Sequence, residues 1–169
     1  ITIGGTDIRK IRTEHLRRNI GMVLQDSWLF SDTIGSNIRY GNLESSDEDV
    51  IDASKQVYAD NFIRQLPEGY ETELNEDSDN ISHGQKQLLT IARTIISTKE
   101  VLILDEPTAG LDPKGRDEIL DQLKRIHEER HITIILVSHS MEDVAKYVGR
   151  IIVMNQGEVM FDGTPKTVF

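Results

Sequence analysis

The 169-residue sequence predicts an α/β fold built on a mostly parallel sheet. Two apolar runs, Val101 to Leu104 and Ile132 to Val137, carry that prediction. Uninterrupted runs of this length read as strands buried on both faces, as parallel sheets require. The third observation is the helical spacing around them. Leu88, Leu89, Ala92, Ile95 and Ile96 precede the first run, and Ile119, Leu120, Leu123 and Ile126 separate the two.

The first run leads straight into Asp105 and Glu106. Ligand sites in open α/β sheets lie at the carboxyl ends of the strands. Two carboxylates there suit Mg²⁺-assisted phosphoryl transfer, one holding the metal directly or through water, the other polarising an attacking water. A buried strand ending in two solvated acids fits the same residues.

Length allows one domain with a real core. The absence of cysteine excludes disulfides and thiolate metal sites. No apolar stretch is long enough to span a bilayer and no signal peptide is evident, so a soluble, cytoplasmic chain is expected. The net charge of −10 argues against a nucleic-acid surface. Twelve of the 29 acids but two of the 19 bases fall between Glu44 and Asp79, leaving 17 of each elsewhere. A solvated helical face explains such a run, and the contrast marks the segment as compositionally distinct.

In chain order, Ile1 to Ile3 followed by Gly4-Gly5 reads as a strand end and a turn. Leu16 to Ile20 reads as a short basic turn, and Ile20 to Leu24 as a strand that ends at Gln25. Trp28-Leu-Phe30 suits either a partner surface or a core. Helical spacing covers Thr33 to Tyr40, and Ser46-Asp-Glu-Asp49 is a helix start with acids in its first turn. Asn61 to Leu66 reads as a shorter turn, and Tyr70 to Asp79 as a polar loop. Ser82 stands where an N-cap belongs, before His83, Gly84 and Gln85. Such a helix start can bind phosphate oxygens or be an ordinary cap. Asp112-Pro113 opens another helix. The second apolar run ends in Ser138-His139, where His139 can donate to a phosphate or stand as a loop residue. Met141 to Tyr147 reads as a short helix, and Arg150 to Phe161 as a closing hairpin around Asn155-Gln156-Gly157.

Gln25, Ser82-His83-Gly84-Gln85, Val101 to Glu106, Ala109-Gly110-Leu111-Asp112 and His139 follow one another in the order and spacing of a known family. They resemble the Q-loop, signature, Walker B, D-loop and switch histidine of the ATP-binding cassette (ABC) nucleotide-binding domain. The likeness covers nearly the whole chain. It implies a P-loop NTPase (RecA-like) sheet with an inserted helical sub-domain: residues 1–30 and 98–169 as core, and 31–97 as the helical part. It also implies roles. Asp105 would hold Mg²⁺ with help from Gln25, Glu106 would be the general base, and His139 would contact the γ-phosphate of ATP. Ser82, His83, Gly84 and Gln85 would face ATP held by a second cassette, and Asp112 would cross that dimer interface. The partner would be a transmembrane domain or subunit, leaving the chain peripheral on the inner face of the membrane.

Three departures stand out. No G-x-x-x-x-G-K-[ST] occurs, so the chain is expected to be incomplete at its amino terminus and to grip ATP weakly alone. His83 takes a position where the signature usually has glycine. Gln25 to Phe30 and Leu66 to Glu71 look like exporter cassettes, whereas Pro107 to Gly115 and Asp162 to Phe169 look like the ATPase subunits of vitamin- and cobalt-type importers. The change of character between Arg93 and Pro107 leaves a recombined chain open. The expected function is ATP hydrolysis driving transport. The alternative is a module that assembles with a partner without hydrolysing ATP.

Overall fold

The protein is described by a computed structural model covering residues 1–25, 28–97 and 100–168. Its centre is a three-stranded parallel sheet ordered β3 (Ile20–Val23), β4 (Val101–Asp105), β5 (Thr133–Val137). Val23 stands opposite Leu104, and Asp105 opposite Val137. All three strands therefore deliver their carboxyl ends to one edge, where Gln25, Asp105 and His139 follow. Ahead of the sheet, β1 (Thr2–Ile3) pairs antiparallel with β2 (Thr6–Asp7), as a strand end with a turn should.

The basic turn expected from Leu16 to Ile20 is instead the end of a helix, α1 (Thr13–Asn19), running into β3 at Ile20. An Arg18–Glu14 ion pair one turn apart supports it, a local pairing that offsets the crowding of like charge. Among the described residues between β3 and β4 lie the α-helices α2 (Ile34–Arg39), α3 (Asp47–Gln56), α4 (Ala59–Ile63) and α5 (His83–Ile95). Their starts follow from the sequence. Thr33 caps α2 by accepting from the Ser36 amide, and Ser46 and Asp49 form a reciprocal capping box on α3. Residues 59–63 make a full helical turn, α4, entered through a left-handed Tyr58 at φ 60°. The Tyr70 to Asp79 stretch is loop, opened by a single 3₁₀ turn, although Leu74 within it is buried.

The acids of α3 lie in solvent, as a charged face should. Asp60 is the buried exception, held by Arg64 at 2.8 Å and by the Tyr70 hydroxyl at 2.7 Å. Burial alone would raise the Asp60 carboxyl. The hydrogen bonds from Arg64 and Tyr70, with the Arg64 charge, outweigh that and hold it below the ordinary range. Burial also pushes the Tyr70 phenol up to about 12, with Ser54 opposing and Asp60 reinforcing.

One apolar core runs through helices and sheet alike, joining Ile38, Val57, Ile63 and Leu89 to Val23, Leu102 and Leu104. Each such side chain contributes roughly 1.5–3 kcal/mol on burial. After β4 comes α6 (Pro113–Arg130), capped by Asp112 with Pro113 at its first position; Ile119, Leu120, Leu123 and Ile126 face inward as the spacing requires. Helix α7 (Met141–Tyr147) follows β5. Strands β6 (Ile151–Asn155) and β7 (Glu158–Gly163) form the expected hairpin, and α8 (Pro165–Val168) ends the described chain.

The sheet departs from expectation in one respect. Its strands are covered on a single face. Leu102 and Leu104 are buried with Val23, whereas on the opposite face Met22 is 56%, Ile135 46% and Val137 48% exposed. Helices α5 and α6 pack on the sheet. Among the described residues, nothing buries the face that carries Met22, Ile135 and Val137.

Candidate functional site

The site begins where β4 stops. Glu106 donates its amide to the Val137 carbonyl at 2.9 Å, which extends the β4–β5 ladder by one step. Its backbone then turns left-handed, at φ 47°, and its carbonyl accepts from Ala109 at 3.0 Å across a turn containing Pro107. Side chains other than glycine, asparagine or aspartate rarely adopt this conformation. The turn aims the Glu106 carboxylate across to the loop after β5. There Oε1 accepts from the His139 amide at 2.8 Å and lies 2.7 Å from His139 Nδ1, while Oε2 accepts from the Ser138 hydroxyl at 3.3 Å. The carboxylate is largely sheltered and the imidazole stands in solvent. Together they line a cleft of about 290 Å³ with Thr108, Gly110, Arg116 and Ser140.

A second, larger cleft of about 710 Å³ lies beside it, between the start of α5, helix α4 and the start of α6. Ser82, His83, Gly84, Gln85 and Asp112 all line it, so five of the sequence-predicted residues converge on one hollow. Ser82 and Gln85 form a reciprocal cap: Ser82 Oγ accepts from the Gln85 amide at 3.2 Å, and Gln85 Oε1 from the Ser82 amide at 2.9 Å. The first amides of a helix have no intrahelical acceptor, and this box satisfies one of them. Gly110, at φ 73°, faces the His83 ring, which lies 3.9 Å from where a Cβ would stand. The imidazole thus rests on the loop between Glu106 and Asp112, whose Gly110 and Leu111 line both clefts. Asp112 accepts from the Gly115 amide at 2.9 Å and so serves as the cap of α6.

Gln25 and Asp105 reach the same edge of the sheet and line neither cleft. The Asp105 carboxylate has no hydrogen-bond or ion-pair partner among the described residues. The described residues contain no cluster of three or more acidic or histidine ligands. A single uncommitted carboxylate fits Mg²⁺ arriving with a nucleotide, because that ion takes one or two carboxylates and fills its octahedron with phosphate oxygens and water. The sequence reading missed Ser138 and Arg116. Ser138 was legible as a hydroxyl between a buried strand and a histidine. Arg116 lies one turn into α6, where spacing alone gives no hint that it faces the Glu106 cleft.

Comparison with known proteins agrees with this geometry. The sequence profile of the ABC transporter family matches residues 1–109. The chain is 44% identical over 175 aligned positions to the energy-coupling factor transporter ATP-binding protein EcfA2 of Clostridium perfringens, spanning 100% of this chain and 60% of that protein. It is 38% identical to the ATP-dependent lipid A-core flippase of Legionella pneumophila, over 97% of this chain and 27% of the flippase. The structure of a bacterial Atm1-family ABC exporter with ATP bound superposes with a TM-score of 0.86 at 36% identity, over 99% of this chain and 29% of the exporter. An energy-coupling factor protein, a flippase and an exporter thus stand side by side among the proteins it resembles, in keeping with the mixed motifs. The match to the family profile, the 36–44% identities and the superposition place this chain in the ABC transporter family.

Proposed function

We propose that this chain is the ATP-binding and ATP-hydrolysing part of an ABC transporter, working as one of two cassettes beneath a transmembrane partner and therefore peripheral to the inner face of the membrane. One observation carries the reading: a sheltered carboxylate, Glu106, at the carboxyl edge of a parallel sheet, accepting from the backbone amide of the exposed His139 and lying 2.7 Å from its Nδ1. Residues 1–30 and 98–169 act as the core and 31–97 as the helical sub-domain.

In this reading Glu106 accepts the proton of the attacking water. His139 now engages Oε1, so the carboxylate is held ready and partly occupied. Swinging the exposed imidazole toward the terminal phosphate frees Oε1 for the water and places a donor on the oxygens that gain charge. Asp105 and Gln25 would hold Mg²⁺, which supplies charge neutralisation on the phosphates. Ser82, His83, Gly84 and Gln85, with the positive end of α5, would clasp ATP bound to a second cassette, and Asp112 would sit at that interface. The test is phosphate release by the full-length protein. Mg²⁺-dependent hydrolysis of ATP that Asp105→Asn weakens by at least about tenfold supports the assignment. Turnover that is indifferent to both Mg²⁺ removal and Asp105→Asn refutes it.

A further inference from the structure

The Glu106 carboxylate is held from one side. Every hydrogen bond it makes among the described residues runs to Ser138 or His139, the two residues that follow β5. The strands dictate this pairing. Side chains alternate along a strand, so Leu102 and Leu104 of β4 share a face with Ile134 and Leu136 of β5, which stand opposite them in register. Two residues further along, the same alternation reaches Glu106 and Ser138, and their side chains meet there. Ser138 is accordingly half-buried, while Val137 and His139 on either side of it are exposed.

The contacts on the carboxylate differ in permanence. The imidazole of His139 stands in solvent, and in the reading above it leaves Oε1 to meet the terminal phosphate. The backbone amide of His139 stays on Oε1 at 2.8 Å. One donor alone leaves the carboxylate free to turn, because the last torsion of a glutamate is broad and roughly two-fold. A second donor on the other oxygen fixes the plane. Ser138 Oγ, 3.3 Å from Oε2, is the group placed to supply it. The hydroxyl also accepts from the Ser140 amide at 3.1 Å, which engages a lone pair and leaves its one proton for Glu106. At 3.3 Å the bond is long for a hydroxyl donor, as catalytic hydrogen bonds often are before substrate fills a site.

We propose that Ser138 is a positioning residue for Glu106: its hydroxyl, with the His139 amide, keeps the carboxylate plane fixed once the His139 imidazole has moved to the phosphate. Ser138 acts on the attacking water only through Glu106. The proposal therefore rests on the assignment of Glu106 as general base.

Steady-state and single-turnover hydrolysis of Mg²⁺-ATP by the full-length protein, in a double-mutant cycle with Glu106→Gln, tests this. Ser138→Ala removes the hydroxyl. It is expected to lower kcat by about tenfold with KM within about twofold, the split expected of a group that serves the chemical step. Ser138→Thr keeps the hydroxyl and is expected to recover most of that loss. In the Glu106→Gln background there is no carboxylate to aim, and Ser138→Ala is expected to change the single-turnover rate by less than about twofold. Wild-type kcat in Ser138→Ala overturns the proposal. So does a loss of the same size in both backgrounds, which places the serine elsewhere in the reaction. A threonine variant no better than the alanine variant also overturns it, because the hydroxyl is then not the operative group. The Glu106 assignment fails on a different observation, wild-type turnover in Glu106→Gln with Ser138 intact, so the two failures are distinguishable.

Discussion

Helix α5 and strand β5 are both apolar in sequence, and the protein treats them differently. Leu89, Ile91 and Ala92 of α5 are sealed, at 1% exposure or less, whereas Ile135 and Val137 of β5 stand about half open. A helical repeat names the one face that must be covered, and the fold supplies that cover. A continuous apolar run asks for cover on two faces, and the described residues supply it on one. The buried face of α5 thus joins the core it shares with the sheet, while the opposite face of the sheet, whose carboxyl edge carries Asp105 and Glu106, is left uncovered by the described residues.

The largest expected effect falls at the sheet edge. Glu106→Gln in the full-length protein keeps the shape and removes the charge. It should lower ATP hydrolysis by roughly two to four orders of magnitude with nucleotide affinity near wild type. Single-turnover hydrolysis beside nucleotide titration measures both, and wild-type turnover in the variant would mean the chemistry lies elsewhere.

The next test sharpens the contrast in burial itself. Leu89→Ala leaves a cavity in the closed core and should cost about 2–5 kcal/mol. Val137→Thr on the open face should change stability by no more than about 0.5 kcal/mol. Denaturant midpoints of the two variants decide this. Equal losses would show that the Val137 face is covered in the full-length protein.

The smallest effect concerns pH. Asp60 titrates below its ordinary value of 3.8 in the folded helices. A carboxyl depressed on folding adds stability above its unfolded pKa, and that contribution is lost as the pH falls through the folded one. The loss is therefore confined to pH below about 4, where Asp60→Asn should flatten it. Urea midpoints recorded from pH 6 down to pH 3 provide the check, and an identical acid slope in both proteins would sink the assignment.

What could be read from sequence follows the same division. Ser46, Ser82 and Asp112 were legible as caps, because a cap is a local contract between neighbouring residues. The α6 face of Ile119, Leu120, Leu123 and Ile126 was legible because its spacing has only one solution. Ser82-His83-Gly84-Gln85 and Asp112 were found by motif, and the fold gathers them around one cleft. The open face of the sheet was illegible because exposure depends on what lies across from a strand, which no local pattern records. The Glu106–Ser138 bond joins residues 32 positions apart, and the Arg93–Trp28 bond spans 65; only the chain's tertiary path creates either.

The left-handed turn at Glu106 has a consequence for anyone evolving this protein in the laboratory. At φ 47° a glutamate is held in a region that costs an L-residue roughly 1–2 kcal/mol, a strain that glycine escapes. A library screened for heat resistance alone would reward glycine at position 106. The hardiest survivors would then be those that had discarded the carboxylate, so thermal selection on this scaffold needs a turnover screen running beside it.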